Sequence, residues 1–146
     1  MIFRTATIDD IKDMQRVRNA VKENRLSDPA LVTDEDYVRF LTQRGKGWVC
    51  IIHNQVAGFA IVDLENRNVW ALFLHPEFER GGIGKRLQTL MLDWYFSLTK
   101  DTIGLGTAPG TRAEAFYRRS GWVETGILGK ELQFEMTYDR WMAPLK

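Results

Sequence analysis

Residues 75–87 read HPEFERGGIGKRL. The apolar run VWALFLH (69–75) leads into this stretch, and an amphipathic run begins inside it. Gly81, Gly82 and Gly84 occupy the junction, with Arg80, Lys85 and Arg86 around them. A helix that starts here leaves its first N–H groups without intrahelical partners, and its dipole adds partial positive charge. Glycine lets backbone approach a ligand closely because no Cβ intervenes. Strand, glycines, basic flank and helix, in that order, describe a pyrophosphate site rather than a turn decorated with solvated charges.

Two familiar nucleotide loops do not fit. A phosphate-binding loop of the Walker type needs Ser or Thr after its lysine, and Lys85 is followed by Arg86. A dinucleotide fingerprint needs Gly or Ala three places after Gly84, where Leu87 stands. The upstream segments WVCIIH (48–53) and VAGFAIVDL (56–64) also read as a hairpin, joined by Asn54-Gln55, and not as one half of a βαβ unit.

Further out, the pattern continues as a mixed domain. MIFRTAT (1–7) reads as a first strand. Thr7 and Asp10 form a capping-box pattern ahead of Ile11, Met14, Val17 and Val21 at helical spacing. SDPALV (27–32) breaks that helix, and Thr33 opens a second one carrying Tyr37, Phe40 and Leu41, ended by Gly45 and Gly47. The unbroken apolar character of 69–75 predicts a strand buried on both faces in mid-sheet. Ile83, Leu87, Leu90, Met91, Trp94 and Leu98 predict one apolar helical stripe. TIGLGT (102–107) reads as a strand, and TRAEAFYRRS (111–120) as a helix ended by Gly121. WVETGIL (122–128) and LQFEMTY (132–138) read as a final hairpin around Gly129. The order is β-α-α-β-β-β-α-β-α-β-β: an α/β fold with a mixed central sheet and flanking helices. No linker or repeat interrupts it, so 1–146 is expected to be a single domain.

The totals narrow the function classes. A net charge of +1 argues against a chain that holds nucleic acid through its phosphates. The lone cysteine, Cys50, excludes an intrachain disulfide, and two histidines with no Cys/His spacing argue against a metal site. No signal peptide or membrane span is apparent, so the cytoplasm is the expected compartment.

The chain resembles the GNAT superfamily of N-acetyltransferases, which use acetyl-CoA. The family's main motif, Gln/Arg-x-x-Gly-x-Gly/Ala, falls on Glu79-Arg80-Gly81-Gly82-Ile83-Gly84, preceded by a Pro-Glu-aromatic lead-in. A second motif, ending Phe/Leu-Tyr-x-x-x-Gly-Phe/Trp, falls on Phe116-Tyr117-Arg118-Arg119-Ser120-Gly121-Trp122. The element order matches too, so the resemblance spans nearly the whole chain.

The resemblance implies direct transfer of acetyl from acetyl-CoA, without a metal, to a primary amine of a small molecule or protein. Backbone groups of Leu72, Phe73 and Leu74 would bind the pantetheine arm like an added strand. The fifth strand would then splay away, with Gly104 and Gly106 helping it bend. Arg80, Gly81, Gly82, Ile83, Gly84 and Lys85 would hold the pyrophosphate. A backbone N–H near Leu74 would stabilise the oxyanion, and Tyr117 would protonate the leaving thiolate as general acid. A homodimer paired through sheet edges or C-terminal strands is compatible with the resemblance; a membrane or nucleic-acid partner is not expected.

Two positions depart from the family pattern. Glu79 replaces Gln or Arg, which predicts that its carboxylate points away from a pyrophosphate or pairs with an arginine. Gly110 stands where Asn often does, which leaves Thr107 or Thr111 as substitutes. These departures keep a catalytically silent acyl-CoA-binding sensor open as the alternative. A toxin-like enzyme acting on aminoacyl-tRNA is disfavoured by the near-neutral charge. For the general base, Asp63, Glu65, Glu131 and Glu135 are candidates of equal standing, His75 reads first as part of the turn after its strand, and water can serve instead. Glu23, Asn24, Arg25 and Asp28 lie where the family shapes its acceptor site, and read equally as a surface loop between two helices. Cys50 reads as a small buried hydrophobe.

Overall fold

The computed structural model describes residues 1–21, 32–79 and 81–143. Arg80 and the polar set Glu23, Asn24, Arg25 and Asp28 lie outside the described residues. In chain order the elements are β1 (Ile2–Thr5), α1 (Ile11–Ala20), α2 (Asp34–Arg39), β2 (Gly45–Ile52), β3 (Gln55–Asp63), β4 (Asn68–Leu74) and α3 (Ile83–Leu98). They continue with β5 (Ile103–Thr107), α4 (Arg112–Arg119), β6 (Val123–Leu128), β7 (Glu131–Met136) and α5 (Tyr138–Met142). The seven strands form one mixed sheet in the order β1-β2-β3-β4-β5-β7-β6, antiparallel except between β4 and β5.

Local chemistry fixes the helix starts. Asp10 accepts the Thr7 N–H at 2.8 Å and both Arg4 guanidinium nitrogens at 2.8 Å, so one carboxylate ties β1 to the approach to α1. At α2 the box is reciprocal: Thr33 Oγ1 accepts the Asp36 N–H at 3.2 Å, and Asp36 accepts the Thr33 N–H at 2.9 Å. The short α5 lies beyond the expected elements. Thr137 caps it, accepting the Arg140 N–H at 3.2 Å, and the Trp141 indole donates to Asp93 on α3 at 2.8 Å. Five residues carry too little periodicity for a helix to be read from sequence.

Each sheet face has its own apolar core. Met14 and Val17 of α1 and Tyr37 of α2 pack with Val49, Phe59, Ile61 and Ala71 on one face. Leu87, Met91, Leu92 and Tyr95 of α3 pack with Cys50, Ala60, Val62, Ile103 and Phe134 on the other.

Three expectations are corrected. Of the two glycines expected to end the second helix, only Gly45 does so, capping the wide helical turn Phe40–Arg44 that continues α2; both glycines belong to β2. A Cβ at Gly47 would sit 2.6 Å from the Leu41 side chain, and one at Gly45 would sit 1.7 Å from the Val62 carbonyl. Close packing therefore demands them there. The strand buried throughout is β3, not β4: Val56 to Asp63 are all buried, whereas in β4 only Ala71 is. β4 does hold the middle of the sheet, but its far half lacks a neighbour on one side. Finally, the α3 stripe turns. Ile83, Leu87 and Met91 are buried as expected, yet Leu98 is 56% exposed and Leu92, Tyr95 and Phe96 take its place. A seven-residue step falls about 20° short of two full turns, so the buried face drifts along a four-turn helix.

The Asp10 cluster yields a pH prediction. The Arg4 hydrogen bonds, helped by the Thr7 N–H, hold the Asp10 carboxyl below its ordinary value of 3.8. A group whose pKa falls on folding adds stability above its unfolded pKa and loses it as the pH drops through the folded one. The urea midpoint should therefore decline from about pH 4 downward. Asp10→Asn should lower the midpoint at pH 7 and flatten that decline; parallel pH profiles for the two proteins would show that the cluster contributes nothing.

Candidate active site

The site begins with a missing strand pairing. β4 and β5 run parallel but share one registered pair, Asn68 with Gly104. β5 instead pairs along its whole length with β7, and β4 with β3. The His75 N–H donates to the Ala57 carbonyl at 2.8 Å, on the β3 side. Strand alternation then turns the Phe73 backbone groups to β3 and those of Leu72 and Leu74 toward the gap. Buried backbone groups need partners, and along this edge no described strand supplies them.

The gap is the wall of a cleft of about 780 Å³, lined by Leu72, Phe73, Leu74, Gly84, Phe116 and Tyr117. Pro76, Glu79, Arg112, Ala113, Ala115 and Arg119 also line it, and Val21 lines its α1 end. Gly81, Gly82, Ile83 and Lys85 sit beside it, at the start of α3, and do not line it. Gly81 and Gly82 have φ of +116° and +79°, and a Cβ on either would meet nothing within 4 Å. Conformation rather than space requires glycine there. Gly84 is the reverse case: its Cβ would lie 3.2 Å from Leu74 Cδ1 and 3.6 Å from the Phe116 ring. Ile83 points its side chain into the α3 core and leaves only backbone at the helix start, while Lys85 is exposed.

At the rim, Arg112 of α4 pairs with Glu79, so the carboxylate that departs from the family pattern is matched by an arginine. Gly110, at φ +77°, donates its N–H to Glu114 at 2.7 Å. The Gly110 and Arg118 contacts hold the Glu114 carboxyl below its usual range. Thr111 is occupied by the cap of α4: its hydroxyl accepts the Glu114 N–H at 3.2 Å and donates to the Ala108 carbonyl at 2.8 Å. Thr107 is buried in β5.

Tyr117 is only 6% exposed and lies among Phe116, Trp122 and Phe134, with ring centroids at 5.3, 5.6 and 6.5 Å. Burial raises its phenol above the ordinary value of 10, so it is protonated at neutral pH. Behind it stands a residue absent from both motifs. Gln88, buried on α3, accepts the Trp122 indole N–H at 2.9 Å and so fastens the end of the α4 segment to α3. Its signal in the sequence was a polar residue set into the apolar part of α3.

Several base candidates have other occupations. Asp63 pairs with Arg44 at 2.8 Å and accepts the Glu65 N–H at 3.0 Å, and Glu65 itself pairs with Arg44 at 3.0 Å. His75 Nδ1 accepts the Glu77 N–H at 3.2 Å and shapes the turn after β4. Glu131 and Glu135 are exposed on β7, where Glu135 borders a separate polar hollow of about 380 Å³ with Asn68 and Gln133. Burial raises the Cys50 thiol, as befits a core residue. Among the described residues no cluster of His, Cys, Asp or Glu could hold a metal ion, and no helix is long and apolar enough to cross a membrane.

A sequence model of the acetyltransferase (GNAT) family matches residues 9–122. No curated protein matches the chain in sequence. Solved structures share the fold. PaiA N-acetyltransferase from Thermoplasma acidophilum, in complex with coenzyme A, superposes with a TM-score of 0.83 at 15% identity, over 94% of this chain and 98% of that one. The ribosomal-protein-S18-alanine N-acetyltransferase from Escherichia coli gives 0.72 at 14% identity, over 92% and 90%. The ribosomal-protein-alanine N-acetyltransferase from Brucella melitensis gives 0.73 at 20% identity, over 94% and 99%.

The Gln88–Trp122 bond yields a stability prediction. Gln88→Leu should orphan a buried indole N–H and cost about 1–3 kcal/mol in urea unfolding. Adding Trp122→Phe should recover part of that loss, because the donor goes too. Strict additivity of the two changes would show that the bond is not what couples them.

Proposed function

Because the chain belongs to the acetyltransferase (GNAT) family, we propose that it is an N-acetyltransferase acting in the cytoplasm as one domain over residues 1–146. It moves an acetyl group from acetyl-CoA directly to a primary amine of a small molecule or protein, with no metal. One observation carries the reading: the backbone of Leu72 and Leu74 faces an open cleft beside a helix that begins on two positive-φ glycines. An extended, amide-bearing arm suits the first part and a pyrophosphate suits the second. The coenzyme A bound by the Thermoplasma protein of the same fold supports that pairing.

In this reading acetyl-CoA supplies the activated thioester. Leu72 and Leu74 bind the pantetheine arm through their backbone; Phe73, expected to do the same, spends its backbone on β3 and only lines the cleft. The residue 80–85 segment holds the pyrophosphate through backbone N–H groups. The Arg112–Glu79 pair lowers the repulsion that a bare carboxylate would exert at that rim. A backbone N–H at Leu74 donates to the thioester oxygen as charge develops on it. Tyr117 donates a proton to the departing sulfur. Its burial makes the phenol a weaker acid, and the same dry surroundings raise the thiol as well, which keeps donor and acceptor matched.

Calorimetry with acetyl-CoA tests the cleft. Wild type should bind, and Gly82→Asp should lose binding while still folding, since the substitution puts a carboxylate and a strained φ at the helix start. Absence of binding by folded wild type would sink both the transferase and the sensor readings. Turnover on an amine panel separates those two. Tyr117→Phe should lower kcat by about 100-fold while acetyl-CoA affinity stays the same; an unchanged kcat would remove Tyr117 from the mechanism.

A further inference from the structure

On the face of β4 opposite α3 there is a second polar cluster that the transfer chemistry does not use. Arg18, near the end of α1, sets its guanidinium 4.7 Å from the Phe73 ring centroid and 5.7 Å from that of Trp70. Its Nε and Nη1 are enclosed and have no full hydrogen bond among the described residues. The neighbouring Gln15 Oε1 is enclosed and unpartnered among them too, and the enclosed Tyr37 hydroxyl approaches Arg18 without completing a full hydrogen bond. Tyr37 packs edge-on against Trp70 at 5.0 Å, and Arg18 lies near enough for its charge to oppose the burial that raises the Tyr37 phenol.

An arginine stays charged at neutral pH, so it cannot relieve such a position by losing a proton. Ring contacts offset only part of the desolvation of a cation. Three acids on the flanking helices are committed elsewhere, and a fourth, Glu35, is exposed. Asp13 pairs with Arg16 at 3.6 Å, Asp36 with Arg39 at 2.9 Å, and Asp34 receives the Gln15 amide at 3.4 Å. No described carboxylate pairs with Arg18. The position also adjoins the cleft: Phe73, beneath the guanidinium, lines it, and so does Val21, whose N–H donates to the Arg18 carbonyl at 3.2 Å. Arg18 as a whole is half-buried, and its Nη2 is not among the enclosed unpartnered atoms. Arg18 itself does not line the cleft; Val21 and Phe73, which do, bring the cleft to the α1 side of the sheet beside it.

We propose that Arg18 receives a carboxylate of the acceptor, so that the substrate is an amine that also carries a carboxylate. The inference rests on the transfer reading above and narrows its acceptor class. The planar guanidinium fork suits a carboxylate in two-point contact, and an enclosed site strengthens that contact. The carboxylate can belong to a free amino acid or to an acidic side chain near the N-terminus of a peptide, and the same chemistry serves both.

The test compares matched acceptors at saturating acetyl-CoA: free amino acids against their carboxamides, and short peptides with Asp or Glu at the second position against the Asn or Gln versions. Wild type should favour the carboxylate member by about tenfold or more in kcat/KM, chiefly through KM, the size expected of one charge-assisted contact. In Arg18→Gln the ratio should fall toward one, with acetyl-CoA affinity unchanged. Preference within the amino-acid pairs identifies a small acceptor, and preference confined to the peptide pairs identifies a protein. Arg18→Met keeps the apolar stem and removes the charge. Its melting temperature should hold or rise, whereas a clear fall would assign Arg18 to fold stability and overturn the proposal. Equal use of acids and amides, or a preference that survives Arg18→Gln, would overturn it as well. Turnover confined to amines without a carboxylate would overturn this inference alone. Acetyl-CoA binding without turnover on any amine would overturn the transfer reading and this inference with it.

Discussion

The structure turns on a pairing that is not made. A strand in the middle of a seven-stranded sheet ordinarily satisfies its backbone on both sides, yet β4 meets β5 at one residue pair and then leaves it. Two stronger commitments hold the strands apart. β4 is bonded along its length to β3, and β5 to β7 through five consecutive pairs. Each strand diverges together with its own partner. The sheet thus keeps an internal edge, placed against a helix start rather than at the protein's rim. An outer edge of this kind invites another chain; an inner one, walled by α3 and α4, admits a narrow extended ligand.

The charged groups follow from that opening. Glycines at positive φ begin α3 at the mouth, where helix backbone presents N–H groups. An uncompensated Glu79 would oppose an anion there, and its pairing with Arg112 makes the rim nearly neutral at that point. In the proposed reading an anion at this point of the rim meets backbone dipoles rather than a bare carboxylate. Binding that rests on fixed N–H groups depends on geometry, so the conformation of Gly81 and Gly82 matters more than the identity of nearby cations.

Most of the architecture was legible because its signals are local. Thr33 and Asp36 announce α2, and the glycine junction announces α3. The polar turn read at Asn54-Gln55 announces the β2–β3 hairpin one residue late: Gln55 already pairs with Ile52, and His53 and Asn54 make the turn. What failed to show was set by tertiary context. An apolar run such as VWALFLH reads the same whether its strand is enclosed or stands beside a cleft, so β4 passed for the buried strand and β3 did not. Gly45 and Gly47 read only as breakers, because their further constraint, the closeness of Val62 and Leu41, lies in partners distant or differently folded. At the candidate site, Leu72, Leu74 and Tyr117 were found through motifs. Gln88 and Arg18 belong to no motif, and only the fold brings Gln88 to Trp122 and Arg18 to Phe73.

Those last two residues show opposite solutions to polar burial. Gln88 is buried and satisfied: its carbonyl meets an indole N–H, and the bond joins two elements that carry the cleft wall. A satisfied buried pair rigidifies, which suits residues that must hold Tyr117 among its three aromatic neighbours. Arg18 has two enclosed nitrogens without a full hydrogen bond, met only by ring faces and the approach of the Tyr37 hydroxyl, and folding alone gains nothing by leaving them so. Native structures retain few such groups, and those they retain need an explanation outside the packing. In the proposed transfer, a wall tied by the Gln88–Trp122 bond on the α3 side and incompletely bonded at Arg18 on the α1 side suits a cleft for two substrates. The first side keeps one shape for a ligand common to every turnover, and the second keeps a polar demand that only the right acceptor meets.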